Sequence, residues 1–252
     1  MSGHSKWAGI KHKKAAQDAK RGKIFTKIIR EITVAAREGG GNPDTNAALR
    51  TAIDRAKAVN MPSDNIEKAI KRGTGELPGV NYETAIFEGY GPGGVAILVE
   101  TLTDNKNRTS AEIRNIFSKR GGNMAGSGSV AWLFTKKGYI LIDRSKTTED
   151  ELFSLVIDAG AEDIRQEGSN FEIITNPKDF ENVKNVLKSK NLEWDMAEIT
   201  MLPNSYVKVT GPEAKQLLSL VEALEEHDDC QHVYANFDIP DEELEKIAGD
   251  SK

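Results

Sequence analysis

The residues best suited to chemistry are the cations of the first 30 positions, which outnumber the acids there nine to one. Lysine and arginine neutralise phosphates and release the counterions condensed on a nucleic acid, so such a cluster binds polyphosphates in a salt-dependent way. Aromatic and imidazole rings that lie among the cations can stack on bases. This basic segment therefore predicts contact with nucleic acid. The candidate residues are Lys6, Trp7, Lys11, His12, Lys13, Lys14, Lys20, Arg21, Lys23, Lys27 and Arg30.

The net charge of the chain changes sign near residue 80. Residues 1–80 carry 16 basic and 8 acidic side chains, a net of +8, whereas the whole chain of 252 residues carries 34 and 39, a net of −5. Residues 81–252 therefore hold 18 basic and 31 acidic side chains, a net of −13. A cationic end on an anionic body is typical of a protein that presents one end to a polyphosphate. A solubilising tail is the alternative.

The elements that must position these cations begin with a helical region. Apolar residues at helical spacing after Ile24, after Pro43 and after Pro62, with glycines between them, predict three short helices in a domain of residues 1–78. Five further cations of this domain extend the predicted patch, although nearby acids leave a plain solvated surface as an equal alternative. Acids at the start of the third helix argue against a helix that reads base edges. The five cations are Arg50, Arg55, Lys57, Lys71 and Arg72.

Beyond a linker at residues 76–79, the spacing of apolar residues along the sequence changes from the period of helices to that of strands. Residues 137–203 show the order βαββαβ, which is the ferredoxin-like unit. The flanking segments, 79–136 and 204–240, complement each other as a second α/β sandwich into which the first is inserted. The acidic segment 241–252 is expected to fray. The predicted fold class is thus α+β and multidomain, with an N-terminal helical bundle and two sandwiches of ferredoxin-like type.

Other motifs give weaker signals. Gly89–Gly94 matches a dinucleotide fingerprint, but a strand rather than a helix follows it, so we reject nucleotide binding. Lys106 and Arg108 precede a helix that Thr109 or Ser110 is expected to cap, and they form a possible secondary contact. His227, Cys230 and His232 lie close in sequence but lack a second group of converging ligands. We therefore predict no metal, no cofactor and no enzymatic activity.

Composition limits the cellular setting. Cys230 is the single cysteine, which excludes an intramolecular disulfide and is typical of a reducing compartment. No run approaches 18 apolar residues, and no apolar stretch follows the basic start, so neither a membrane span nor a secretory signal is expected. These observations predict a cytoplasmic protein with no membrane partner.

Several motifs together resemble the YebC/PmpR family, and they are spread over nearly the whole chain. The segments that carry the resemblance are 2–7, 10–14, 18–23, 87–94, 103–109, 121–123, 128–130 and 233–237. The resemblance implies a three-domain α/β protein with a helical N-terminal domain and no attached enzymatic activity. It implies either a DNA-binding transcriptional regulator or a translation factor that acts at the ribosome. The expected partner is accordingly duplex DNA, with ribosomal RNA as the alternative.

Overall fold

The structure, a computed structural model, describes residues 18–250, and for residues 18–21 and 248–250 it describes the backbone alone. Three helices come first, and they are α1 (Asp18–Gly39), α2 (Ala47–Ala58) and α3 (Ser63–Gly73). Their apolar stripes meet in one core, in which Ile32, Leu49, Ala56 and Ala69 are fully buried. The periodicity that starts at Ile24 therefore places the core correctly, although α1 begins six residues earlier.

Asn46 fixes the joint between α1 and α2. Its side-chain oxygen accepts from the Leu49 N–H at 3.0 Å and so caps α2, while its amide donates to the Ala35 carbonyl of α1 at 2.7 Å. The next joint turns at Asn60, which has a positive φ of 57°, a conformation that asparagine tolerates better than most residues. These two joints hold the three helices in a compact bundle.

Two antiparallel four-stranded sheets follow. In space their strands run β3–β1–β2–β9 and β5–β6–β4–β7, and β8 and β10 form a separate parallel pair. The elements in chain order are β1 (Glu83–Tyr90), β2 (Ala96–Thr103), α4 (Lys106–Lys119), β3 (Asn123–Ala125), β4 (Phe134–Asp143), α5 (Glu149–Val156), β5 (Ala161–Glu167), β6 (Asn170–Thr175), α6 (Phe180–Ser189), β7 (Met196–Pro203), β8 (Val207–Lys208), α7 (Gly211–Glu225), β9 (Cys230–Ala235), β10 (Phe237–Asp238) and α8 (Asp241–Asp250).

The sheet of β4 to β7 has the predicted βαββαβ order. Its two central strands, β4 and β6, pair with Tyr139 opposite Ile174 and Ile140 opposite Ile173. Helices α5 and α6 cover one face, where Ile140, Leu152 and Leu187 are fully buried. The insertion of this unit between β3 and β8 agrees with the expected α+β multidomain class, which is confirmed.

The other sheet shows the same spatial arrangement with a different chain order. Strand β2, helix α4 and β3 form one crossover that passes over β1, and α7 leads into β9 beside β2. In a ferredoxin-like unit, the strand at the position that β1 occupies in the sheet is the third strand along the chain, whereas here it is the first. Helices α4 and α7 bury Ile97, Val99, Phe117 and Leu217 against one face. The sandwich is therefore of ferredoxin-like type with a permuted strand.

Two local expectations are wrong, and one predicted domain boundary falls inside an element. Strand β4 runs unbroken from Phe134, which pairs with Pro203 of β7. The predicted boundary at 136/137 therefore falls inside β4. Helix α4 begins at Lys106 because the Asn105 side chain caps it, so neither Thr109 nor Ser110 is the cap. The segment after residue 240 is helical, with Leu244 fully buried in the core. The domain boundaries as a set stay a prediction.

Candidate nucleic-acid interface

The predicted basic segment lies largely outside the described residues. That is the case for Lys6, Trp7, Lys11, His12, Lys13 and Lys14. Lys20 and Arg21 lie on the first turns of α1, where only the backbone is described. The next three predicted cations, at positions 23, 27 and 30, follow on α1 at intervals that place them along one side of the helix. That side meets the α/β body.

Lys23 and Lys27 bind the end of helix α7. The Lys27 ammonium donates to the Glu225 carbonyl at 2.6 Å, and the Lys23 ammonium donates to the Glu226 carbonyl at 3.2 Å. The last carbonyls of a helix lack partners within it and carry the negative end of the helix dipole. Burial lowers the pKa of Lys27, although nearby acids act against that effect. These two lysines therefore stabilise a contact between domains.

Arg30 continues the same contact one turn later. Its guanidinium donates to the Asp229 carboxylate at 2.7 Å and to the Asp228 carbonyl at 2.5 Å. It also lies over the Tyr82 ring, 5.4 Å from the centroid. The exposed fractions of the Arg30 and Asp229 side chains are 14% and 3%, so this ion pair is largely withdrawn from water. Arg30 is thus engaged in the junction between the domains, and its predicted contact with phosphate stays a prediction.

Asp229 is the centre of this junction. Its carboxylate accepts from the Thr109 hydroxyl at 2.6 Å and from the Arg108 guanidinium at 2.7 Å, in addition to Arg30. Burial by itself raises the pKa of Asp229, but the hydrogen bonds from Thr109 and Arg108 and the charge of Arg30 outweigh it and lower the pKa. Arg108 also pairs with Asp104 at 2.9 Å. Arg108 is therefore occupied within the protein, whereas Lys106 is exposed.

The remaining predicted cations of the helical bundle divide into two groups. Arg55 pairs with Glu31 at 2.9 Å, Lys71 pairs with Glu67 at 2.6 Å, and Arg50 donates to the Pro43 carbonyl at 3.0 Å. Lys57 and Arg72 are exposed, and neither forms an ion pair with another residue of the described range 18–250. These last two are the predicted cations of the bundle that remain most available to a phosphate.

A cleft of about 580 Å³ opens beside the junction. Lys23 and Arg108 line it together with the acids Glu112, Glu226 and Asp228. Because acids and cations alternate around this cleft, it offers no concentrated positive field for a phosphate. Its chemistry argues for a charged seam between domains rather than an anion pocket.

The histidine and cysteine residues near position 230 do not form a metal site with each other. Cys230 is buried, and burial raises the pKa of its thiol to about 12. His232 stacks on Tyr234 with ring centroids 5.9 Å apart. His227 accepts the Asp229 backbone N–H at its Nδ1 and contacts Glu112 through Nε2 at 2.8 Å.

Ligand atoms of Glu112, His227 and Asp229 do come within 4.8 Å of one another. The Asp229 oxygens, however, already accept from Thr109 and from two guanidinium groups. Two adjacent cations oppose the binding of a third. The chemistry of this cluster therefore fits an ion-pair network rather than a metal site.

Residues 5–76 match the family model described as "TACO1/YebC protein N-terminal domain", and residues 82–237 match the one described as "TACO1/YebC second and third domain". The chain belongs to the TACO1/YebC family. The resemblance seen in the sequence motifs is thereby confirmed, and the two matches meet at the linker between α3 and β1.

Relatives in this family are similar over their full length. A protein of Dictyoglomus turgidum is 57% identical over 249 residues, which cover 98% of this chain and 100% of the relative. A protein of Desulfatibacillum aliphaticivorans is 58% identical over 244 residues, which cover 97% and 99%. Both are named "Probable transcriptional regulatory protein". These names describe regulators and not enzymes, in agreement with the prediction that the chain is not an enzyme.

A solved structure of the family supports the same fold. The crystal structure of the conserved hypothetical protein Aq1575 from Aquifex aeolicus matches with a TM-score of 0.78 and 48% sequence identity, covering 89% of this chain and 93% of that one. No helix within residues 18–250 is long and apolar enough to cross a membrane.

Sequence reasoning missed the acid at the centre of the junction in this TACO1/YebC chain. Asp229 lies inside the segment 227–232, which the sequence marks only for its histidines and cysteine. Its partner Arg30 is 199 positions away, and no local spacing rule relates two residues so far apart. The one available signal was the excess of acid in the body, which predicts some attraction to the basic end but not the residue that provides it.

Proposed function

We propose that this chain regulates gene expression by binding nucleic acid, duplex DNA in particular, through its N-terminal region. The observation that carries the proposal is the division of charge, +8 in residues 1–80 against −13 in the remainder. Cations bind phosphates by releasing counterions, and an acidic body prevents the other domains from competing for the same ligand. The names of the relatives support a regulatory role in general.

The junction refines which cations take part. Because Lys23, Lys27 and Arg30 bind the body, the proposal places the phosphate contacts elsewhere. The exposed Lys57 and Arg72 are the second part of the surface. The first part is Lys6, Lys11, Lys13, Lys14, Lys20 and Arg21, with Trp7 and His12 among them.

A mobility-shift titration with duplex DNA tests the proposal. The triple variant Lys11→Ala, Lys13→Ala, Lys14→Ala is compared with a matched triple variant on the inserted domain, Lys178→Ala, Lys188→Ala, Lys190→Ala, whose side chains are exposed. Both variants lose three positive charges. Loss of three phosphate contacts weakens binding by about tenfold or more at moderate salt, whereas the inserted-domain variant keeps its affinity. Equal losses in both variants, or no shift of any duplex by the wild type, would contradict the proposal.

A second candidate is a ribosome-associated translation factor that uses the same cations on ribosomal RNA. The observation that favours it is the first turn of α3, the helix that would have to read base edges if the bundle bound a specific DNA sequence. Asp64 and Glu67 are exposed there, and their negative charges repel the phosphates on either side of a DNA groove. The bundle thus offers charge without an evident base-reading helix.

A competition separates the two candidates. Labelled protein is loaded on ribosomes at about 150 mM salt, where nonspecific phosphate contacts are weakened, and duplex DNA is then added in excess. Removal of the protein by low DNA concentrations supports the DNA proposal. Retention on ribosomes through the whole titration contradicts it and supports the translation factor.

A further inference from the structure

Two aromatic side chains lie exposed at the rim of the sheet face opposite α4 and α7, the centre of which is covered where Ala96 and Leu98 pack against Val130 and Phe134. In β1 the odd-numbered residues Ala85 and Phe87 face the helices, so Tyr90 lies on the opposite face, where it pairs with Ala96 of β2. The Tyr90 side chain is 39% exposed, and Trp132, in the turn before β4, is 69% exposed. Exposure of a tryptophan to this extent is unusual, because its large apolar surface favours burial.

One backbone oxygen holds both rings. The Tyr90 hydroxyl donates to the Ser129 carbonyl at 3.2 Å, and the Trp132 Nε1–H donates to the same carbonyl at 3.1 Å. The polar edges of the two rings therefore converge on a single atom. Since these bonds restrain the rings in advance, a ligand that contacts their faces meets a partly ordered surface and loses less entropy on binding.

A buried glutamate fixes the loop that supplies this oxygen. The Glu88 carboxylate of β1 accepts the backbone N–H groups of Gly128, Val130 and Ala131 at 2.6, 2.7 and 2.8 Å. Burial raises the pKa of Glu88, but these three bonds outweigh that effect and lower it. The residues before and after Ser129 are thus bonded to the sheet, and the aromatic pair has a rigid support.

The surroundings favour a nucleobase as the ligand. Unpaired bases stack on aromatic rings, and four-stranded RNA-recognition domains present such rings on their open sheet face. Lys119 is exposed at the end of α4, a few residues before Asn123 of β3, which pairs with Tyr90, whereas Arg120 donates to the Ser219 hydroxyl of α7 at 2.8 Å. Glu88, the acid of this strand on the same face, is buried and bonded to three N–H groups. The two rings and one exposed cation, Lys119, therefore lie toward the same end of β1.

We infer that Tyr90 and Trp132 form a stacking platform for unpaired bases of a single-stranded nucleic acid. The inference rests on the proposed function only for the class of ligand, since none of its residues belongs to the N-terminal region. It assigns to the middle domain a contact that duplex DNA, with its bases paired and stacked, does not make.

Fluorescence of Trp132 tests the platform. The chain has three tryptophans, so the full-length variant Trp7→Phe, Trp194→Phe leaves Trp132 as the sole emitter. A short single-stranded adenine oligonucleotide is expected to quench this emission by stacking, and the blunt duplex made with its complement is expected not to. We expect the variants Tyr90→Ala and Trp132→Ala each to weaken single-strand binding about tenfold. Because Trp132→Ala removes the emitter, its affinity is measured by the fluorescence anisotropy of a labelled oligonucleotide. Trp132→Phe keeps a ring and should recover part of the loss.

Phe153→Ala removes another exposed aromatic side chain, on α5 of the inserted domain, and should leave the affinity unchanged. Quenching by the duplex as strong as by the single strand, or an unchanged affinity in Trp132→Ala, overturns the platform. No quenching by any oligonucleotide also overturns it and leaves a protein as the occupant of this surface. If the wild type shifts duplex DNA while Trp132 stays unquenched, the platform fails and the proposed function stands.

The reverse result is equally distinct. The triple variant Lys11→Ala, Lys13→Ala, Lys14→Ala is examined at saturating oligonucleotide. If Trp132 emission is still quenched in this variant, the platform is supported, even where the variant no longer shifts duplex DNA. The two proposals can therefore fail separately.

Discussion

The Arg30 guanidinium and the Asp229 carboxylate meet at 2.7 Å and join helix α1 to the loop between α7 and β9. Three cations of α1 that the sequence marks for nucleic acid are used in this junction. The basic region is therefore fastened to the acidic body by some of its own charges. The junction also explains how two regions of opposite net charge form one structure.

Replacing Asp229 by Asn should destabilise the protein. The substitution leaves the Arg30 guanidinium largely buried without its counter-charge, and breaking a buried ion pair typically costs about 3–5 kcal/mol. We expect a loss near the lower limit, about 3 kcal/mol, because asparagine still accepts from Thr109. Urea unfolding measures the change. Asp104→Asn removes an exposed partner of Arg108 and should cost less than about 1 kcal/mol; similar losses in the two variants would contradict a buried junction.

The same carboxylate should make stability depend on pH in the acid range. The pKa of Asp229 is lower in the folded protein than in the unfolded chain. Its contribution is therefore complete above the unfolded pKa of about 3.9 and is lost as the pH falls through the lower folded pKa. The difference in unfolding free energy between wild type and Asp229→Asn should be constant above about pH 5 and shrink below about pH 4. A difference that persists unchanged to pH 2 would exclude this assignment.

The sequence predicts elements that are decided locally. The three helices and the βαββαβ unit follow from apolar periods and from glycine and proline positions, and all of these elements are present. Gly73, the last residue of α3, illustrates the limit of such reasoning, because a Cβ at that position would lie 2.7 Å from the Ala36 side chain. The close approach of α3 to α1 at this glycine depends on a tertiary contact that no local pattern encodes.

The candidate site was less predictable than the fold. Charge counting finds which end of the chain is cationic, but it cannot distinguish a lysine that binds a phosphate from one that binds a helix end. The sequence predicts a phosphate contact for Lys27, and in the structure its ammonium binds the Glu225 carbonyl. Residues 1–17 carry six of the predicted site residues and lie outside the described residues, so their roles stay predictions.

Salt dependence should separate the two kinds of lysine. Each phosphate contact that is lost reduces the slope of log K against log salt by about 0.9 for duplex DNA. The double variant Lys57→Ala, Arg72→Ala should therefore reduce the slope by about 2, because both side chains are exposed and form no ion pair with a residue in 18–250. Lys27→Met should leave the slope unchanged. The measurement is duplex affinity over a series of salt concentrations; a reduced slope in Lys27→Met would show that Lys27 does contact phosphate.

Replacing Glu88 by Gln should loosen the loop that carries Trp132. The carboxylate accepts three backbone N–H groups, and the glutamine amide presents one oxygen and a donor that faces those N–H groups. At least one buried donor then loses its partner, which costs about 1–3 kcal/mol in unfolding free energy. In the variant with Trp132 as the sole tryptophan, emission anisotropy should fall because the ring is less restrained. Glu83→Gln, on the exposed start of the same strand, is the control and should change neither quantity. If Glu88→Gln loses stability with unchanged Trp132 anisotropy, the glutamate supports the sheet but not the aromatic pair.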